Sequence, residues 1–231
     1  MATVTVHCPR CDSDDVYRHG LSPTKRERFR CQRCRRVFQL SYCYEARKPG
    51  AKEQITEMAF NGAGVRDTAR TLKIGINTVI RALKKLSPRR VTSSPVAHAD
   101  VALICELDEQ WSFVGSKAVQ HWLWYAYNTK TGGVLAYTFG PRTDETCREL
   151  LALLEPFTIG MITSDDWGSY AREVSKDKHL TGKIFTQRIE RNNLTLRTRI
   201  KRLARKTICF SRSIEIHEKV IGAFIERHMF Y

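Results

Sequence analysis

The spacing of apolar positions changes character three times along this 231-residue chain. Residues 1–46 hold short alternating pieces, ATVTV, ERFRC and VFQLSY, which predict short strands. Residues 50–86 switch to helical spacing. Ile55, Met58 and Ala59 stripe a first helix that stops at Gly62 and Gly64, and VRDTARTL follows as a second. Val79, Leu83 and Leu86 recur at i, i+4 and i+7 in a third, with Gly75 in the turn before it and Asn77 or Thr78 as its cap. Residues 87–100, SPRRVTSSPVAHAD, have no apolar period and read as a linker.

From residue 101 strands alternate with helices. VALICELDEQ predicts a strand. HWLWYAYNTKTGGVLAYTFG predicts two strands turning tightly at Thr131-Gly132-Gly133. A helix follows, with Thr143 as cap and Leu150, Leu151 and Leu154 on one side. FTIGMITSDD predicts a strand, WGSYAREVSK a short helix and GKIFT a short strand. QRIERNNLTLRTRIKRLARK predicts one long helix and SRSIEIHEKVIGAFIERH a closing one. This order predicts an α/β fold over 101–231, a mixed sheet flanked by helices. Trp122, Trp124, Tyr125 and Tyr127 fall on a strand where packing in the core outweighs base stacking.

Charge narrows the partner. Lys plus Arg number 39 against 24 acids, a net +15, which favours nucleic acid or an anionic surface. No apolar run approaches the roughly 20 residues of a membrane span, and the start lacks the pattern of a secretory signal. The expectation is a cytosolic chain with no membrane partner. Its eight cysteines then favour metal ligation or free thiols over disulfides. Cys8, Cys11, Cys31 and Cys34 form C-x2-C-x19-C-x2-C, two knuckles that complete a tetrahedral, structural Zn²⁺ site in a zinc ribbon. Cys43 lies outside this pattern, and Cys105, Cys147 and Cys209 read as buried thiols.

The helical middle has the rhythm of a helix-turn-helix. Asn77, Thr78, Arg81, Lys84 and Lys85 line the outward side of its third helix, which fits the major groove of double-stranded DNA. The plainer reading is a three-helix packing unit with a solvated face.

Acids fall at particular places in the last region. Asp108 lies near the end of the first strand, Asp165 and Asp166 close a later one, and Glu190 sits near the start of residues 186–206, which hold eight basic residues and no other acid. Strand ends and helix starts of α/β folds converge on one edge of the sheet. Carboxylates meeting there repel and raise one another's pKa unless a cation intervenes. Two Mg²⁺ (or Mn²⁺) ions suit such oxygen ligands and serve phosphoryl transfer. Arg188, Arg191 and Arg197 on the same helix would hold the DNA backbone, Arg197 two turns beyond Glu190. The pattern alone leaves the trio open, since Glu106 shares a face with Asp108, and Glu109 and Asp166 are neighbours.

ELDEQWSFVGSK, WLWYAY, TSDDWGSY and TQRIERNNLTLR resemble the DDE transposase domain of the insertion sequence 1 family, whose core is RNase H-like. CPRC, FRCQRCRRVFQLSY, MAFNGAGVRDTAR and GINTVIRALKK are similar to that family's zinc finger and helix-turn-helix, so the resemblance spans nearly the whole chain. It implies catalytic carboxylates at Asp108, at Asp165 (within Asp165-Asp166-Trp167) and at Glu190, with Arg197 as the companion basic residue. The 24 residues between Asp165 and Glu190 match the family's spacing. It further implies binding to terminal inverted repeats, metal-dependent strand cleavage and strand transfer into target DNA. A dimer or larger assembly on DNA is expected, in a prokaryotic cytoplasm at the nucleoid. Many members join two reading frames by ribosomal frameshifting, and LKKLSPRRVTSSPV lies where that junction would fall. Two other functions share these motifs: a DNA-binding regulator with an inactive RNase H-like domain, and an RNase H-like nuclease without strand transfer.

Overall fold

The computed structural model describes residues 5–41, 44–93, 103–204 and 206–230. The linker from 94 to 100, Cys43 and the start of ATVTV lie outside the described residues. The amino-terminal segment is a three-stranded antiparallel sheet of β1 (Val16–Leu21), β2 (Glu27–Cys31) and β3 (Val37–Phe38). Its small core consists of Phe29, Phe38, Cys8 and Cys31. Three helices follow, α1 (Ala51–Phe60), α2 (Val65–Thr71) and α3 (Ile76–Lys84). Gly75, not Asn77 or Thr78, is the residue that caps α3.

The remaining residues build a five-stranded mixed sheet in the order β6-β5-β4-β7-β8. Its strands are β4 (Leu103–Val114), β5 (Ser116–Asn128), β6 (Gly133–Gly140), β7 (Ile159–Ser164) and β8 (His179–Thr181). β4, β5 and β6 run antiparallel, whereas β7 and β8 extend the sheet in parallel. Helices α4 (Asp144–Leu154), α5 (Gly168–Glu173), α6 (Gln187–Arg199) and α7 (Ile214–His228) complete the domain.

Side chains alternate across the pleat of β4 and β5 and separate two cores. Leu107, Trp124 and Ala126 pack with Leu150 and Leu154 of α4 and Tyr170 of α5. Leu123 and Tyr125 face the other way, onto Ile189 and Leu196 of α6 and Val220 and Ile221 of α7. That second core does not stop at the domain boundary. It takes in Ile55, Ala59 and Phe60 of α1 and Val79 and Leu83 of α3. Phe60 meets Phe224 edge-on with ring centroids 5.2 Å apart.

Three sequence expectations are corrected. β4 and β5 are longer than expected and meet at a hairpin through Gly115, whose φ of +76° suits glycine. The strand expected at GKIFT lies earlier, at His179–Thr181, and Lys183–Phe185 form a single 3₁₀ turn. The long basic helix ends at Arg199, where Ile200 turns extended and Lys201–Leu203 form another 3₁₀ turn. The break has a packing reason: Ile200, Arg202 and Leu203 are all buried, and positions 200 and 202 lie about 200° apart around a continuous helix.

Candidate active site

The four cysteines come together as the spacing predicts. Their sulfur atoms all lie within 4.8 Å of one another, with Cys8 Sγ 3.5 Å from Cys34 Sγ and Cys11 Sγ 3.6 Å from Cys31 Sγ. Four soft donors held this close, with no disulfide formed among them, fit one tetrahedral Zn²⁺. The Ser13 backbone favours the Cys11 thiolate, but burial and the three neighbouring sulfurs push its pKa up to about 12. Such crowding is relieved when a dication displaces the protons.

β4 places Glu106, Asp108 and Gln110 on the face that meets α6. Asp108 is half-buried; its Oδ1 accepts the Glu109 N–H at 2.8 Å, and its Oδ2 accepts the side-chain amide of Asn193. Burial raises its pKa to about 7, and the charges of Glu109 and Asp165 add to the rise. The parallel pairing of Glu106 with Thr163 brings Asp165, two residues beyond Thr163, level with Asp108. Asp165 Oδ1 accepts the Trp167 N–H at 3.2 Å. Glu190 projects from the first turn of α6 and is exposed. Its charge falls on Glu106. Asp108 sits in the middle of β4, not near its end as the sequence predicts, because β4 runs on to Val114; Asp165 follows the end of β7 at Ser164, and the three carboxylates do not close to a single cluster. Among the described residues, the four cysteines alone form a set of three or more ligand groups all within 4.8 Å of one another.

The neighbouring acids have other work. Glu106 is 4% exposed, and its Oε2 accepts the Ile189 N–H at 2.6 Å, satisfying an otherwise unpaired donor in the first turn of α6. Glu109 points to the opposite face, accepting Arg142 Nε at 2.6 Å and the Tyr170 hydroxyl at 2.7 Å. Arg142 in turn lies 4.3 Å from the Trp167 ring centroid and 5.1 Å from that of Trp122, a cation–π clamp beside the Asp165 loop. Asp166 is exposed.

Asn193 is the residue that sequence reasoning missed. It donates to Asp108, accepts the Tyr125 hydroxyl at 2.9 Å on its Oδ1, and its carbonyl accepts Gln110 Nε2 at 3.2 Å. The available signal was position: three residues after Glu190, on the same side of the helix.

The predicted DNA contacts divide. Asn77, Arg81 and Lys85 are exposed on α3. Thr78 is half-buried and shares a 2.8 Å hydrogen bond with the Tyr44 hydroxyl. Lys84 forms an ion pair with Glu215 of α7 at 3.3 Å. Arg188 donates to the Thr129 carbonyl, and a cleft of about 340 Å³ between that turn and α6 is lined by Lys130, Arg188, Arg191 and Thr195. Arg197 is half-buried with an unpartnered Nε.

A small sheet with four clustered cysteines, a three-helix unit and a mixed α/β domain carrying Asp108, Asp165 and Glu190 are the parts expected of a DNA transposase. Comparison with known proteins gives the family. The profile described as IS1 transposase matches residues 102–231, the InsA C-terminal domain matches 42–87 and the InsA N-terminal domain matches 1–35. The chain belongs to the IS1 transposase family. It is 92% identical over 131 residues to the iso-IS1n protein InsB of Shigella dysenteriae, covering 57% of this chain and 100% of that one. It is 76% identical over 84 residues to the iso-IS1N protein InsA of the same organism, covering 36% of this chain and 93% of that protein. An InsB protein of Escherichia coli K12 is 44% identical over 144 residues, 62% of this chain and 86% of its own length. No helix among the described residues is long and apolar enough to cross a membrane.

Proposed function

We propose that this transposase binds the terminal inverted repeats of its element and carries out metal-dependent strand cleavage and strand transfer at Asp108, Asp165 and Glu190. The observation that carries the reading is Asp108. It is a half-buried carboxylate whose pKa rises to about 7 through burial and the charges of Glu109 and Asp165. A divalent cation reverses that cost. The donors are all hard oxygens, which fits Mg²⁺ or Mn²⁺. Glu106 and Glu109, the two alternatives nearest in sequence, are committed to the α6 backbone and to Arg142 and Tyr170.

In this reading residues 1–46 form the ribbon, 50–86 the helix-turn-helix, 87–100 the linker and 101–231 the catalytic domain. Asn77, Thr78, Arg81, Lys84 and Lys85 face the element end. Lys84 must leave Glu215 to do so. Asn193 and the Glu109 N–H fix the Asp108 carboxylate in one orientation. Arg188, Arg191 and Arg197 hold the phosphodiester beside it. The metal, when bound, activates the attacking oxygen and stabilises the leaving one. Two ends must be joined, so the active form on DNA is a dimer or larger.

Replacing Asp165 with Asn tests this. Mg²⁺-dependent nicking of cognate ends should fall by about 10³-fold or more, a loss of several kcal/mol of charge stabilisation, while binding to those ends stays as in the parent. Strand transfer retained by the variant would refute the site.

A further inference from the structure

A cavity of about 500 Å³ lies where the helix-turn-helix meets the carboxy-terminal domain. One wall is the turn between α1 and α2, residues 62–68; the other is the segment before α7, residues 208–213. The walls are locked together at Gly62, where an added Cβ would come 2.8 Å from Lys201 Cβ and 3.1 Å from Cys209 Cβ.

Arg202 forms part of this cavity and is 7% exposed. Its Nη1 donates to Ser211 Oγ at 3.0 Å and its Nη2 to the Ala59 carbonyl at 3.2 Å. Both acceptors are neutral. Its Nε has no partner, and no carboxylate among the described residues acts on it. Asp67, the one carboxylate in the cavity wall, is held by Arg70 at 2.8 Å. A guanidinium taken out of water without a carboxylate is costly; burial draws the Arg202 pKa down to about 10, against a smaller opposing pull from the neighbouring Cys209 thiol. Arg66 and Arg212, both exposed, add two more cations to the lining.

We propose that this cavity is an anion pocket that receives one backbone phosphate of DNA spanning the two domains, with Arg202 as the buried cation and Arg66 and Arg212 at the mouth. The proposal rests on the DNA-binding reading of the helix-turn-helix. Its two walls come from the two units that handle DNA, so a phosphate seated there ties end recognition to the catalytic domain. Inorganic phosphate offers the same chemistry and is the competing occupant.

The test uses the full zinc-loaded chain, a duplex carrying the element end, and inorganic phosphate. Cys209 lines the cavity and is half-buried, so its alkylation, followed by mass spectrometry, reports occupancy. The duplex should slow alkylation of Cys209, and inorganic phosphate should not. Arg212→Ala and Arg202→Gln should each lower the slope of log affinity against log salt, the two together by about 0.9, the share of one phosphate contact. Arg212 is exposed, so its variant keeps the test valid even if Arg202→Gln unfolds. Tight duplex binding with unchanged slopes and unprotected Cys209 would overturn the pocket and leave the helix-turn-helix reading standing. Protection by inorganic phosphate with unchanged slopes would overturn the DNA assignment. Absence of duplex binding by the parent chain would overturn both.

Discussion

Glu106, Asp108 and Glu109 are three acids within four positions, and the fold gives each a different partner. Glu106 holds the start of α6, Glu109 holds Arg142, and Asp108 is left in mid-strand, facing α6 and under the charge of Asp165. The sequence placed these acids on one strand but could not choose among them, because the choice depends on α6 and α5 packing from opposite sides. His217 makes the same point for a buried base. It is 0% exposed, with Nε2 2.9 Å from Ser112 Oγ and Nδ1 2.9 Å from Ser211 Oγ. The groups facing it are His121, whose ring is 5.5 Å away and which pairs with Glu218 at 2.9 Å, and Arg202. Burial, then the charges of His121 and Arg202, lowers its pKa from 6.5 to about 3. A base whose folded pKa is depressed stays neutral in the native state while the unfolded chain takes up a proton. Stability is therefore lost as pH falls below 6.5, by about 2 kcal/mol at pH 5. Urea unfolding of His217→Gln at pH 7 and pH 5 should show a smaller loss between the two than the parent shows. An equal loss would place the acid sensitivity elsewhere.

Among the elements, those with a strong single period were legible. The order of strands and helices from β4 to α7, the turn before Gly133, the Thr143 cap and the cysteine knuckles all follow from local pattern. What escaped was set by distant contacts: the Gly115 hairpin, the displaced β8, and the end of α6 where Arg202 turns inward. The ribbon has its own small core around Phe29 and Phe38, so it depends on its metal more than on the rest of the chain. Zinc removal by a chelator should unfold β1–β3 and abolish end binding. The thermal transition of the α/β domain should shift little, as calorimetry would report. Loss of both transitions together would show that the ribbon supports the whole chain.

In the whole molecule the helix-turn-helix is not a separate bead. Its buried residues belong to the same core as α6 and α7, a continuity invisible to a sequence that reads as two units joined by a polar linker. Phe60 is 3% exposed against Phe224. Phe60→Ala should cost about 3–5 kcal/mol. The loss should appear in one unfolding transition shared by both units, followed by circular dichroism and by near-ultraviolet probes of the sheet. Separate transitions, with only the helices destabilised, would mean that the shared core couples them weakly.

That continuity sets a demand on any shorter translation product. A polypeptide released after α3 would uncover Phe60, because Phe224 and Arg227, which lie against its ring, are encoded downstream. Such a fragment carries a bare apolar side chain of the kind that a second copy or another partner covers. A chain that runs on through α7 seals that side from within the same polypeptide.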